Sequence, residues 1–293
     1  METIGVVGCG AMGAGIVQVA LQAGYAVVVR EVNDAFLKKG IERVSNAFEK
    51  MTVKGTITSE QKEDSLKRLK GVTALESLSE CDFIIEAVPE DMSLKLETFK
   101  ALDALCQPEV VFASNTSSLS VSQIASVTSR PGKFVGLHFF NPATVMPLVE
   151  VIKTIRTEPP VFESALAFVR SLKKTPVVAK DNAGFIVNLL LTPFLLSAIS
   201  ALQSGVASTA DIDAGMKLGC SHPMGPLMLA DFIGLDVLLS GANSLFEEYN
   251  EKQYAPPAIM KRMVTLGLLG QKTGRGFYDW SDPKNPKPID LGL

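Results

Sequence analysis

The stretch Gly5-Val6-Val7-Gly8-Cys9-Gly10-Ala11-Met12-Gly13-Ala14-Gly15 constrains the fold more than any other part of the chain. An apolar strand, Ile4 to Val7, runs into a G-x-G-x-x-G turn and then into a helix from about Met12 to Ala23. Gly8 allows the tight turn, Gly10 lets a phosphate approach the backbone, and Gly13 lets helix and strand pack closely. The opening turn of the helix, Ala11, Met12 and Gly13, offers N–H groups and the positive end of the helix dipole to a pyrophosphate. Glycines at this spacing also occur in ordinary turns, so the context decides. A second apolar strand, Ala26 to Val29, follows, and Glu31 stands 18 residues after Gly13, where a carboxylate can hold both ribose hydroxyls of an adenosine. The unit predicts a dinucleotide site on a parallel sheet. Glu31 repels a 2′-phosphate and favours NAD, while Arg30 beside it leaves NADP as the alternative.

The alternation continues. Asn33-Asp34 caps a long helix to about Lys54, and a second charged helix, Ser59 to Lys70, returns after Gly55-Thr56, a hairpin that reads as a solvated face. The strand Cys81 to Val88 ends at Pro89-Glu90, a helix spans Ser93 to Cys106, and the strand Val110 to Ser114 opens the polar loop Ser114-Asn115-Thr116-Ser117-Ser118. That loop suits helix capping, with a hydroxyl to spare for a ligand. Ligands of open α/β sheets bind beyond the carboxyl ends of the strands, where Glu31, Glu90 and this loop all fall. Next come the strands Phe134 to His138 and Leu148 to Ile152. Glu150 lies inside an apolar strand, where an unpaired carboxylate would be costly, and His138 on the preceding strand is the available partner. A carboxylate that orients a histidine and stabilises its cation is a general-base arrangement. A purely structural His–Glu bond is the alternative.

Beyond Asp181-Asn182-Ala183-Gly184 the alternation stops, and Phe185–Gln203, Asp211–Leu218, Leu227–Glu248 and Pro257–Leu266 read as helices. The expected architecture is α/β: a Rossmann-type N-terminal domain with a helical hairpin insertion over residues 1–183, and an all-α C-terminal domain over 184–293. A chain of 293 residues that is 47% hydrophobic and carries a net charge of −3 suits a globular protein and gives no basic face for nucleic acid. The longest apolar run, Phe185 to Leu202, is interrupted by Asn188, Thr192, Pro193, Ser197 and Ser200, so it reads as a buried helix and not a membrane span. Cys9, Cys81, Cys106 and Cys220 lack metal-ligand spacing; no metal is expected, and reduced thiols point to a cytoplasmic protein. The first strand begins too close to Met1 for a leader. The helical domain carries more apolar surface than so small a unit covers, which predicts a homodimer through it. The tail Gly270 to Tyr278 reads as a turn that closes on a phosphate or lies at an interface.

These residues together resemble the 3-hydroxyacyl-CoA dehydrogenase family, particularly its short bacterial 3-hydroxybutyryl-CoA members. The motifs are Val-Val-Gly-Cys-Gly-Ala-Met-Gly, Ala-Ser-Asn-Thr-Ser-Ser-Leu, Gly-Leu-His-Phe-Phe-Asn-Pro, Leu-Val-Glu-Val-Ile, Asp-Asn-Ala-Gly-Phe-Ile-Val-Asn, His-Pro-Met-Gly-Pro and Gly-Gln-Lys-Thr-Gly-Arg-Gly-Phe-Tyr. The resemblance implies reversible oxidation of a short (S)-3-hydroxyacyl-CoA to the 3-ketoacyl-CoA, as in butyrate or fatty-acid metabolism. His138 would be the general base and Glu150 its orienting partner, with Ser117 and Asn188 holding the substrate oxygens. Gly8, Gly10 and Gly13 would hold the pyrophosphate and Glu31 the ribose, with Glu90, Lys95, Ser117, Asn141 and Lys272 as further NAD contacts. Lys50 and Lys54 would meet coenzyme A, turning the hairpin into a clamp for its phosphates. Leu189 departs from the family, which often has Arg there. Two alternatives remain at this point: a dehydrogenase of a free hydroxy or sugar acid, and a non-catalytic nucleotide-binding protein.

Overall fold

The carboxyl ends of six parallel strands form one edge on which the polar residues collect. A computed structural model describes residues 1–292. Its chain divides into a unit Met1–Phe185 and a second unit that begins at Ile186. In the first, β1 (Thr3–Val7), α1 (Ala11–Gln22) and β2 (Ala26–Arg30) form the opening βαβ unit, and α2 (Asp34–Val53) and α3 (Ser59–Lys67) lead to β3 (Leu69–Val72). Then follow β4 (Phe83–Glu86), α4 (Met92–Leu105), β5 (Val111–Ser114), α5 (Val121–Ala125), β6 (Phe134–Phe139), β7 (Leu148–Lys153), α6 (Pro159–Ser171) and β8 (Thr175–Lys180). The sheet order is β3-β2-β1-β4-β5-β6-β7-β8, parallel throughout except between β6 and β7. Central strands are apolar on both faces because helices cover both: Ile4, Val6, Phe83, Ile84, Ile85, Phe112, Phe134 and Leu137 are fully buried. Strand order reverses at β1, which has β2 on one side and β4 on the other, so the ligand crevice opens beyond Val7 and Glu86.

The helix expected over Ser59 to Lys70 is shorter in the structure. It ends at Lys67, and Leu69–Val72 pairs in parallel with Val27–Arg30. The backbone of β2 would otherwise present an unpaired edge, and β3 supplies its ladder. The α2–α3 hairpin is therefore the crossover that joins two neighbouring strands of the sheet.

The second unit consists of α7 (Val187–Gln203), α8 (Thr209–Gly219), α9 (Pro226–Ile233), α10 (Leu235–Tyr249), α11 (Ala258–Thr265) and a short hairpin of β9 (Tyr278–Asp279) with β10 (Lys287–Pro288). Its core is built from Leu195, Ile199, Leu227, Leu235, Ala242, Met260 and Phe277. The single helix expected over Leu227–Glu248 is two helices bent by 96°. Gly234 at the break has φ +100°, a conformation that only glycine adopts without strain. Among the described residues no single helix is long and apolar enough to cross a membrane.

Candidate active site

Three groups of side chains sit on the carboxyl edge of the sheet. The first is the glycine turn. A side chain at Gly8 would lie 2.7 Å from the Ala87 carbonyl, and one at Gly13 would collide with the Gly8 carbonyl, whereas a Cβ at Gly10 would meet nothing within 4 Å. Two glycines thus close the turn, and the third leaves open space at the N-terminus of α1, where Gly10 offers no side-chain cap. The cradle fits a pyrophosphate. Glu31 stands just beyond β2, its Oε1 accepting the Cys9 N–H at 2.6 Å and its Oε2 the Val32 N–H at 3.2 Å. It is thereby aimed at the turn. Arg30 donates its Nε to the Thr73 carbonyl at 3.1 Å, beyond the end of β3, which engages the guanidinium with the edge of the sheet. This agrees with NAD as the cofactor.

The second group lies beyond β4 and β5. Asp91 caps α4 by accepting the Leu94 N–H at 2.8 Å and so places Lys95 in the first turn. Lys95 is fully buried, with Nζ 2.6 Å from Glu86 Oε1 and 3.3 Å from Glu90 Oε2. The resemblance made Lys95 a direct NAD contact. Here it is buried between the two carboxylates. Glu90 Oε1 accepts the Thr116 hydroxyl at 2.6 Å and the N–H groups of Ser117 and Ser118 at 2.8 and 3.1 Å. The hydroxyls of Ser117 and Ser118 approach the same oxygen at 3.1 and 3.3 Å. Burial would raise the Glu90 carboxyl, but the Lys95 ammonium and these donors outweigh it and hold the group below its ordinary value.

The third group follows from strand register. β6 and β7 are antiparallel, and His138 is directly opposite Glu150, so both side chains project from one face. His138 Nδ1 lies 2.6 Å from Glu150 Oε2, and both residues are buried. An ionised carboxylate only accepts, so Nδ1 is the donor in this bond. The rings of Phe140 and Phe185 flank the imidazole at 4.4 and 5.7 Å. The Asn115 side chain accepts the Phe139 N–H at 3.0 Å and ties the end of β6 to the serine loop.

The remaining expected residues are more dispersed. Asn141 is exposed in the loop after β6. Lys50, in the last turn of α2, lines a groove of about 470 Å³ with Lys39, Glu42, Arg43, Asn46 and Ala47, and the exposed Lys54 follows the helix. Arg43 donates to the Cys9 carbonyl at 3.1 Å, which ties this helix to the glycine turn. In the second unit, Asn188 is in the first turn of α7, and Lys272 pairs with Asp236 at 2.5 Å. Sequence reasoning passed over Glu86, Asn115 and Thr116. Glu86 had a signal: like Glu150, it is a carboxylate within an apolar run, Ile84-Ile85-Glu86-Ala87-Val88.

Comparison with known proteins supplies the lineage. Residues 3–182 match the model of the 3-hydroxyacyl-CoA dehydrogenase NAD binding domain, and residues 184–280 match that of the family's C-terminal domain. A 3-hydroxybutyryl-CoA dehydrogenase of Mycobacterium tuberculosis is 42% identical over 96% of this chain and 99% of its own. The mitochondrial hydroxyacyl-coenzyme A dehydrogenase of Rattus norvegicus is 43% identical over 96% of this chain and 91% of its own. The crystal structure of (S)-3-hydroxybutyryl-CoA dehydrogenase from Ralstonia eutropha superposes with a TM-score of 0.93 at 41% identity, covering 96% of this chain and 100% of that one. With both family models matched in order, the chain belongs to the 3-hydroxyacyl-CoA dehydrogenases, a family of NAD-binding oxidoreductases.

Proposed function

We propose that the protein catalyses reversible, NAD-dependent oxidation of an (S)-3-hydroxyacyl-CoA, of the short 3-hydroxybutyryl class, to the 3-ketoacyl-CoA. The observation that carries this reading is the His138–Glu150 pair at the carboxyl edge of a sheet whose glycine turn fits a dinucleotide. NAD, when bound, supplies the hydride acceptor. His138 Nε2 takes the proton of the 3-hydroxyl as C3 becomes a carbonyl carbon, and in the reverse direction the imidazolium returns it. Glu150 keeps Nδ1 protonated, fixes the ring and offsets the charge that the ring acquires. Ser117 and Asn188 hold the substrate oxygens, and Lys50 and Lys54 meet the phosphates of coenzyme A. Glu31 holds the adenosine ribose, with Glu90, Asn141 and Lys272 as further cofactor contacts. Purified protein supplied with acetoacetyl-CoA and NADH is expected to consume NADH absorbance; no consumption with either NADH or NADPH would sink the reading.

The same reading includes a homodimer through the helical unit. Leu190, Val206, Leu218, Phe232, Val237 and Leu266 are large apolar side chains exposed on that unit, and burying them against a second copy would be favourable. Light scattering should give a mass twice 31.4 kDa, and a monomer at micromolar concentration would refute it. All four cysteines are free thiols, which favours a reducing, cytoplasmic setting; a disulfide in protein taken from its own cells would count against this.

A further inference from the structure

Glu86 closes β4 and is fully buried, and no step of the proposed chemistry uses it. Its carboxylate divides between three parts of the site. Oε1 accepts the Lys95 ammonium at 2.6 Å and the Val88 N–H at 2.8 Å, and Oε2 accepts the Ser114 hydroxyl at 2.6 Å. Val88 belongs to the turn whose Ala87 carbonyl occupies the space beside Gly8, so this bond fixes one wall of the glycine turn. Ser114 is the root of the serine loop, and the Glu86 carbonyl also accepts the Asn115 N–H at 2.8 Å. Lys95 passes the connection on to Glu90.

Two observations separate this array from ordinary packing. Two carboxylates enclose one ammonium, so the loop donors must satisfy the carboxylate oxygens that it does not reach. Apolar residues of the same volume often stabilise a fold as well as a buried ion pair does, so the array is weak evidence of a stability role. The second observation is crowding at Glu90 Oε1. A carboxylate oxygen offers about two lone pairs, which the Thr116 hydroxyl at 2.6 Å and the Ser117 N–H at 2.8 Å already fill. The hydroxyls of Ser117 and Ser118 are left with longer contacts, at 3.1 and 3.3 Å.

We propose that Glu86 is a positioning residue of this site: through Lys95 and Ser114 it sets Glu90 and the Ser117–Ser118 hydroxyls, and so governs affinity for cofactor and acyl-CoA together. The proposal rests on the ligand contacts assigned above to Glu90 and Ser117. The test uses the full-length chain with Glu86→Gln, Lys95→Met and the double variant Glu86→Gln/Lys95→Met. Three quantities are read: the NADH dissociation constant by nicotinamide fluorescence, KM against kcat for acetoacetyl-CoA, and the thermal midpoint. The double variant removes Glu86 and its ammonium together and leaves Glu90 its loop donors, so its midpoint should fall less than that of either single variant, while the NADH dissociation constant and KM each rise about tenfold and kcat falls less. A double variant that unfolds, or one that folds and binds NADH as the parent does, overturns the proposal, because the pair then serves only the fold. If the parent binds NADH without reducing acetoacetyl-CoA, the reaction assigned above fails, while the NADH affinities still decide the role of Glu86.

Discussion

Buried carboxylates occur in both units, and their partners differ in kind. In the sheet unit Glu150 faces an imidazole and Glu86 an ammonium. In the helical unit Asp213 accepts the N–H groups of Leu227 and Met228 at 2.8 and 2.9 Å and the Tyr278 hydroxyl at 2.7 Å. Asp231 there accepts the N–H groups of Phe277, Tyr278 and the Trp280 indole, each at 2.9 Å. Backbone and indole donors do not exchange their protons with a substrate, and the Tyr278 hydroxyl on Asp213 is buried, so these two aspartates cross-link chain segments. A carboxylate against an imidazole leaves the other ring nitrogen available for proton transfer. The contrast also explains the glycine-rich tail, expected as a phosphate turn or interface: a Cβ at Gly270 would strike the Asp231 carbonyl, and one at Gly276 its carboxylate. The tail is glycine-rich where it must close on Asp231.

The comparison breaks most visibly at His138. His138→Gln should lower kcat about 10³-fold and Glu150→Gln about 10²-fold, both with NADH affinity unchanged, since general-base catalysis contributes in that range. A near-normal rate in either variant would place the pair with the structural carboxylates. Asp231→Asn should do the reverse. Removing one acceptor oxygen from three buried donors costs about 2–4 kcal/mol, read as a lower urea midpoint, while kcat per folded molecule holds. Lost turnover at an unchanged midpoint would erase the distinction between the units.

How far these roles could be read beforehand depended on local periodicity. The glycine turn and Glu31 were legible because strand, turn and helix are contiguous. His138 and Glu150 were legible as a pair because a carboxylate inside an apolar strand demands a partner and the neighbouring strand held one. Glu86 met the same test inside the expected strand Cys81 to Val88 and was missed, because its ammonium lies on the following helix and not on a neighbouring strand. Leu69–Val72 was hidden because an edge strand of four residues, half-exposed and containing Lys70 and Gly71, continues a charged helix without a break in pattern. Leu227–Glu248 kept a helical period across Gly234, and only the backbone angle there reveals the bend. The role of Asp231 was illegible because its donors lie more than 40 residues along the chain.

The smallest effect is in the pH dependence of stability, where the two units should differ in sign. Burial pushes the Asp231 carboxyl above its ordinary value of 3.8, beyond what the Trp280, Phe277 and Tyr278 donors restore. The folded chain therefore binds that proton more tightly than the unfolded chain, and stability from this group grows as pH falls from neutrality towards 3.8. Glu90 is held below its ordinary 4.5, so its contribution is present above pH 4.5 and is lost as pH falls through its folded value. Urea unfolding between pH 7 and pH 4 should show the margin of the parent over Asp231→Asn widening on acidification, while the margin over Glu90→Gln narrows below pH 4.5. Each margin moves by about 1.4 kcal/mol for every tenfold difference in proton affinity between the folded and unfolded chain. Two margins that moved together would mean that the Lys95 ammonium does not hold Glu90 ionised, and the sheet unit would then bury its carboxylates on the same terms as the helical one.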